Sequence, residues 1–118
     1  MSKVNDKVLS ELLSNQIKKI DKSKKLGYTD IRRISKYLDK SIFNTDDCVL
    51  WKGYITNQNN PTKGVYVNFY FMKKKYALHR LLYINYVGHI YDDEYLKFSC
   101  PNKGSCCNIK HFTKSTNE

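Results

Sequence analysis

The sequence predicts an α+β domain, with a helical arm over 1–46 and a strand-and-turn module over 47–118. Three observations carry the prediction. In the N-terminal part, apolar residues recur at three- and four-residue steps. From Asp47 onward the pattern changes to short alternating runs parted by turn formers. Near the end stands Cys100-x5-Cys106-Cys107-x3-His111, with Cys48 far upstream. That is the spacing of metal ligands and not of a disulfide framework, so the module is expected to be zinc-stabilised.

The arm comes first. Val4, Val8, Leu9, Leu12, Leu13, Ile17 and Ile20 fall on one stripe of a helix. Lys18, Lys19, Lys22, Lys24 and Lys25 gather at its C-terminal end, where positive charge suits the helix dipole. Gly27 breaks the pattern, and Thr29 is the expected N-cap of a second helix containing Ile31, Ile34 and Leu38. An apolar stripe is more often core than interface, so docking on the rest of the domain is the first expectation. Pairing with a second copy to form a homodimer, or with a protein partner, is the alternative use of the arm.

In the module, Cys48 to Tyr54 reads as a strand, and 57–64 as a loop rich in turn residues. Val65 to Phe71 alternates β-branched and aromatic residues with polar ones and is a second strand. Lys73, Lys74 and Lys75 form the tip of a tight turn. Leu78 to Val87 is a short helix stopped by Gly88, and Leu96 to Phe98 leads as a strand into the cysteine loop.

Length and composition bound the rest. A chain of 118 residues, 41% hydrophobic and 14% aromatic, can bury one core of modest size. No apolar run approaches the roughly 20 residues that span a bilayer, so no membrane partner is expected. Met1 to Asp6 has charge but no apolar signal core, which predicts an intracellular protein, with nucleus, cytoplasm and virion not distinguished. Thiols in such a compartment stay reduced or bind metal. The net charge is +10, from 21 basic and 11 acidic residues. Such an excess points to a polyanionic partner, usually nucleic acid. The competing explanation is a lysine-rich composition set by an AT-rich genome.

Zinc takes four tetrahedral ligands from thiolate sulfur and imidazole nitrogen. One loop offers Cys100, Cys106 and His111, and Gly104 lets the backbone wrap. The fourth ligand is Cys48 or Cys107. Neighbouring side chains on an extended backbone diverge, which makes Cys106 and Cys107 an awkward pair. Cys48 would tie two distant segments together in a domain with a small core. A site filled by four protein ligands keeps no open position, so this zinc would be structural.

Cys48-x2-Trp51-x-Gly53, Gly64-Val65-Tyr66, His79-Arg80-x2-Tyr83 and Cys100-x5-Cys106-x-Asn108-x2-His111-Phe112 follow one another in this order. From Cys48 onward the chain thereby resembles the HNH-type, His-Me finger endonucleases, in particular those with the zinc-binding loop of homing endonucleases. The resemblance implies an HNH-like, ββα-type fold, and Cys48, Cys100, Cys106 and His111 as the zinc ligands. It favours DNA over RNA as the partner. The family includes viral members, and the lysine- and asparagine-rich composition fits a virus with an AT-rich genome.

The same resemblance exposes two departures. The family carries a histidine two residues before the first loop cysteine as general base on the attacking water, and that position here is Phe98. Loss of a general base costs about 10²–10⁴ in rate. The family also has an asparagine that helps hold the catalytic divalent metal, at a position past Glu118; Asn117 falls short of it. His79 matches a helix position of the family pattern, and nothing in the spacing aims His89 at Phe98. No catalytic residue is therefore assigned.

The expected nucleic-acid surface comprises Lys52, Lys63, Lys73, Lys74, Lys75, Arg80, Lys97 and Lys103, extended by Lys110 and Lys114. Lysines at turn tips contact phosphates and read no sequence. Tyr66, Phe69 and Tyr70 offer stacking faces for unpaired bases, although aromatics at strand spacing are more often core. Arg80 has a competing structural use, an ion pair with Asp92, Asp93 or Glu94. The function expected is a non-catalytic nucleic-acid-binding protein on a zinc-stabilised HNH-like fold. The alternatives are an active Mg²⁺-dependent nuclease with rearranged catalytic residues and a zinc-stabilised protein-interaction module.

Overall fold

The computed structural model describes residues 3–57 and 64–116 and shows a mixed α/β domain with three helices and two small antiparallel sheets. The chain order is α1 (Lys3–Asn15), α2 (Tyr28–Ser35), β1 (Asn68–Phe71), β2 (Lys74–Ala77), α3 (Leu78–Tyr86), β3 (Glu94–Phe98), a 3₁₀ turn (Ile109–His111) and β4 (Phe112–Thr116). Among the described residues no helix is long and apolar enough to cross a membrane.

Helix α1 is shorter than its periodicity suggests. The Asn15 amide donates to the Glu11 carbonyl at 2.8 Å, ending the helix, and Ile17 N–H turns away to the Asn85 carbonyl of α3 at 2.9 Å. Ile17 and Ile20 are half-buried outside any helix. The second helix begins one residue before the expected cap. Gly27 is the N-cap, and the Asp30 carboxylate accepts from Gly27 N–H at 3.0 Å, so Thr29 lies within the first turn. Leu38 lies past the end of α2 yet is fully buried.

One apolar core runs through the chain. Val8 and Leu12 of α1, Ile31 and Ile34 of α2, Val49, Trp51, Phe69 and Phe71, and Leu78, Leu81 and Leu82 of α3 belong to a single cluster. Asn85 fastens the arm to α3. It is fully buried, and its oxygen accepts from Gln16 Nε2 at 2.9 Å and Leu26 N–H at 3.0 Å. Its amide donates to the carbonyls of Lys24 at 3.0 Å and Leu81 at 2.8 Å. All of its polar capacity is thus used, three of the four bonds going to a segment about 60 residues or more away in sequence.

The first hairpin pairs Asn68 with Ala77 through to Phe71 with Lys74. Its loop is the two residues Met72 and Lys73, both at positive φ (51° and 67°), the geometry of a type I′ turn. Lys73 is therefore the tip, whereas Lys74 and Lys75 stand on β2. The second hairpin pairs Glu94 with Thr116 through to Phe98 with Phe112, and its long loop is the cysteine loop. The stretch from Cys48 to Tyr54 is not a ladder strand. Leu50 makes an isolated bridge to Cys106, while Lys52 N–H goes to the Tyr37 carbonyl at 2.9 Å. Most of the expected 57–64 loop lies outside the described residues.

Candidate metal centre

Two segments meet at the cysteine loop. Cys107 N–H donates to the Val49 carbonyl at 2.6 Å and Trp51 N–H to the Ser105 carbonyl at 3.0 Å. Asn108, fully buried, donates from its amide to the carbonyls of Thr45 at 2.8 Å and Asp47 at 2.7 Å, while its oxygen accepts from Lys110 N–H at 3.0 Å. These bonds bracket Cys48 and hold it against the loop. Inside the loop, the N–H groups of Ser105 and Cys106 both reach the Asn102 carbonyl. Gly104 supplies the left-handed turn at φ +85°, and a Cβ there would fall 1.7 Å from the Val65 carbonyl oxygen. Both the turn and the close approach require glycine.

The result is a group of four ligand atoms from Cys48, Cys100, Cys106 and His111, all within 4.8 Å of one another. The cluster is able to hold a metal ion. Tetrahedral bonds of about 2.3 Å to sulfur and about 2.0–2.1 Å to nitrogen place S and N about 3.6 Å apart. His111 Nδ1 lies 3.7 Å from Cys48 Sγ and 3.4 Å from Cys106 Sγ. His111 Nε2 lies 2.9 Å from the Asp46 carbonyl, which can only accept, so Nε2 carries the proton and the Nδ1 lone pair faces the thiols. Donor type, tautomer and spacing are all compatible with structural zinc.

The thiols differ in acidity. At Cys48 burial pushes the pKa up, but hydrogen bonds from Asn102, Cys100, Cys106 and His111 outweigh it and bring it down to about 7. Cys106 is pushed up to about 12 by burial, against hydrogen bonds from the Asn108 and Val49 backbone and aided by the charge of Cys100. Burial also raises Cys100, with Cys48 adding to the effect. Cys48 is thus the thiol best placed to be ionised near neutrality. Cys107 points away into the core and is raised strongly by burial, which removes it from the ligand set.

Phe98 stands on β3 two residues before Cys100, in an aromatic box. Its ring centroid is 4.9 Å from His79 and 5.2 Å from Phe112. Burial holds His79 down at about 4, with the neighbouring Arg80 charge adding to it, so this imidazole is neutral.

The basic residues are carried by several different elements. Lys52 is exposed and paired with Asp39 at 3.4 Å. Lys73, Lys74 and Lys75 are exposed on the first hairpin, Lys97 on β3 with its ammonium 5.6 Å from the Tyr95 ring centroid, and Lys103 in the cysteine loop. Lys63 lies outside the described residues. Lys110 pairs with Asp46 at 3.5 Å and Lys114 with Glu94 at 3.4 Å. Arg80 makes no ion pair among the described residues; it lines a cavity of about 490 Å³ that also includes Asp21, Lys24, His89 and Asp92. Lys75 lines a different cleft, of about 680 Å³. Of the aromatics proposed to stack on bases, Tyr66 and Tyr70 are exposed but Phe69 is core.

Sequence reasoning missed Asn85 and, with it, the docking of 16–26 on α3. A polar residue one helical turn past Leu81, on an apolar face, was the available signal.

A protein of Acanthamoeba polyphaga mimivirus described as "Uncharacterized protein R328" is 52% identical to this chain over 113 residues. The match covers 96% of this chain and 33% of that protein, so the chain spans about a third of the relative's length. No protein-family model matches the chain, and no solved structure does.

Proposed function

We propose that this chain is a nucleic-acid-binding module on a zinc-stabilised, HNH-like fold that lacks nuclease chemistry. The observation that carries the reading is its cationic surplus. The net charge is +10, and only four ion pairs occur among the described residues. Most lysines therefore remain available to displace counterions from a phosphate backbone.

The HNH-like assignment draws support from the hairpin of β3 and β4 with its Cys100, Cys106 and His111 loop, and from Cys48 completing the ligand group. Zinc held by these four side chains would fasten the 45–51 segment to the loop and offer no open coordination position. At Phe98, where a related nuclease would place its base, the ring lies against Phe112 and the neutral His79. Hydrocarbon there can neither accept a proton nor orient water.

The test is one gel with the zinc-loaded protein, single- and double-stranded DNA and RNA, and Mg²⁺ present or absent. The expected result is a shift that weakens steeply with salt and leaves the nucleic acid intact. Mg²⁺-dependent cleavage that tracks with the protein would make it a nuclease. Absence of any shift would move the reading to a protein partner.

A further inference from the structure

The cleft lined by Lys75 lies outside the metal centre and draws on both halves of the chain. It has a volume of about 680 Å³, within the roughly 300–1,000 Å³ of ligand clefts. Its cations are Arg33 and Lys36 from the arm and Lys75 from β2, and no carboxylate lines it. Four of its tyrosines are exposed: Tyr54 at 76%, Tyr70 at 57%, Tyr37 at 43% and Tyr66 at 38%. Large aromatic rings left in water beside cations call for a ligand with flat faces and negative charge.

The cleft is held in shape. The Tyr37 ring lies against Trp51, with centroids 5.0 Å apart. Gly53 makes this arrangement fit, since a Cβ there would fall 2.7 Å from Trp51 Nε1 and 3.2 Å from Tyr37 Cδ1. Arg33 is fixed by hydrogen bonds to Asp30 at 2.8 Å and to the Tyr70 carbonyl at 2.9 Å, with its guanidinium 4.4 Å from the Phe69 ring centroid. Asp30 offsets the charge of Arg33. Lys36 and Lys75 make no ion pair among the described residues and carry the net positive charge.

We propose that this cleft binds a single-stranded stretch of nucleic acid, its bases stacked on the tyrosines and its phosphates on Lys36 and Lys75. The proposal rests on the nucleic-acid reading above and adds the form of the ligand and the surface that takes it. A duplex keeps its base faces stacked inside and presents only edges and phosphates, so exposed rings gain nothing from it. Unpaired bases present π-faces, and stacking of this kind tolerates any sequence. The chemistry is shared by single-stranded DNA and RNA.

The test uses fluorescence anisotropy with the zinc-loaded full chain and labelled strands of matched sequence, as single-stranded DNA, single-stranded RNA and duplex DNA. Tyr54 and Tyr70 are exposed, so Tyr54→Ala and Tyr70→Ala should fold normally, which the melting temperature checks. Each is expected to weaken single-strand binding by on the order of 10-fold. Tyr54→Phe, which keeps the ring, should bind as the parent does, and duplex binding should not respond to either alanine. The DNA and RNA arms show which sugar the cleft prefers. Single-strand affinity unchanged by both alanines, or lost equally on the duplex, would overturn the cleft assignment while leaving nucleic-acid binding in place. No binding to any strand would overturn the broader reading and this one with it.

Discussion

The domain has two junctions where distant segments are fastened, and they are built differently. At Asn85, the segment after α1 is tied to α3 by three neutral hydrogen bonds from one side chain. At the cysteine loop, backbone bonds bring the 45–51 segment close, but four ligand atoms are left facing one another. The first junction is complete in protein atoms. The second gathers three thiols and an imidazole around one point, a group able to hold a metal ion. The two junctions should therefore respond to different perturbations.

The largest effect separates them directly. Structural zinc in small peptides supplies about 10–16 kcal/mol of apparent binding free energy. Chelation should abolish hydrogen-exchange protection over 45–51 and 99–111 while α1, α2 and α3 keep more of theirs. Uniform loss across the chain would mean that the junctions are one cooperative unit.

Next in size is Gly104→Ala. Its Cβ would meet the Val65 carbonyl at 1.7 Å and the residue would keep φ +85°, so a cost of about 3–5 kcal/mol is expected in urea unfolding. Gly88→Ala is the matched control: no heavy atom lies within 4 Å of the added Cβ, and stability should change by less than about 0.5 kcal/mol.

Asn85→Ala leaves Leu26 N–H without its acceptor and the Lys24 carbonyl without its donor, at a cost of about 2–4 kcal/mol. The comparison sharpens if this variant still binds zinc as tightly as the parent. Weakened zinc binding would show that the metal corner depends on the arm.

The smallest effect is in pH. His79 has its folded pKa lowered from 6.5 to about 4 by burial and by Arg80. Between those values the unfolded chain binds more protons, so the neutral ring contributes stability that is full above 6.5 and lost as pH falls toward 4. The shift is worth on the order of 3 kcal/mol. His79→Phe should flatten this part of the stability profile relative to the parent, a difference that cancels any titration of the metal ligands.

What the sequence revealed follows the range of the interactions. The ligand group was legible because ligand chemistry and spacing are local apart from Cys48. Helix α3 was legible from periodicity and the first hairpin from alternation, although its turn falls at Met72 and Lys73 and not across the three lysines. The limits lie where partners decide. Phe112 to Thr116 looks like a polar tail and becomes β4 only because β3 lies beside it. Cys48 to Tyr54 has the pattern of a strand, yet its backbone bonds go to the cysteine loop and to Tyr37, so no ladder forms. The apolar stripe of α1 continues to Ile20 although the helix stops at Asn15, because Ile17 finds its partner on α3. The tyrosine cleft escaped notice because Tyr37 and Tyr54 reach it from segments with no shared pattern.

The most direct test of the metal centre is the zinc content of the purified chain, measured by mass spectrometry of the metal beside Cys48→Ser and Cys107→Ala variants. The account predicts a single zinc per chain in the parent, retained by Cys107→Ala and lost or greatly weakened in Cys48→Ser. Zinc kept without Cys48 and lost without Cys107 would contradict it.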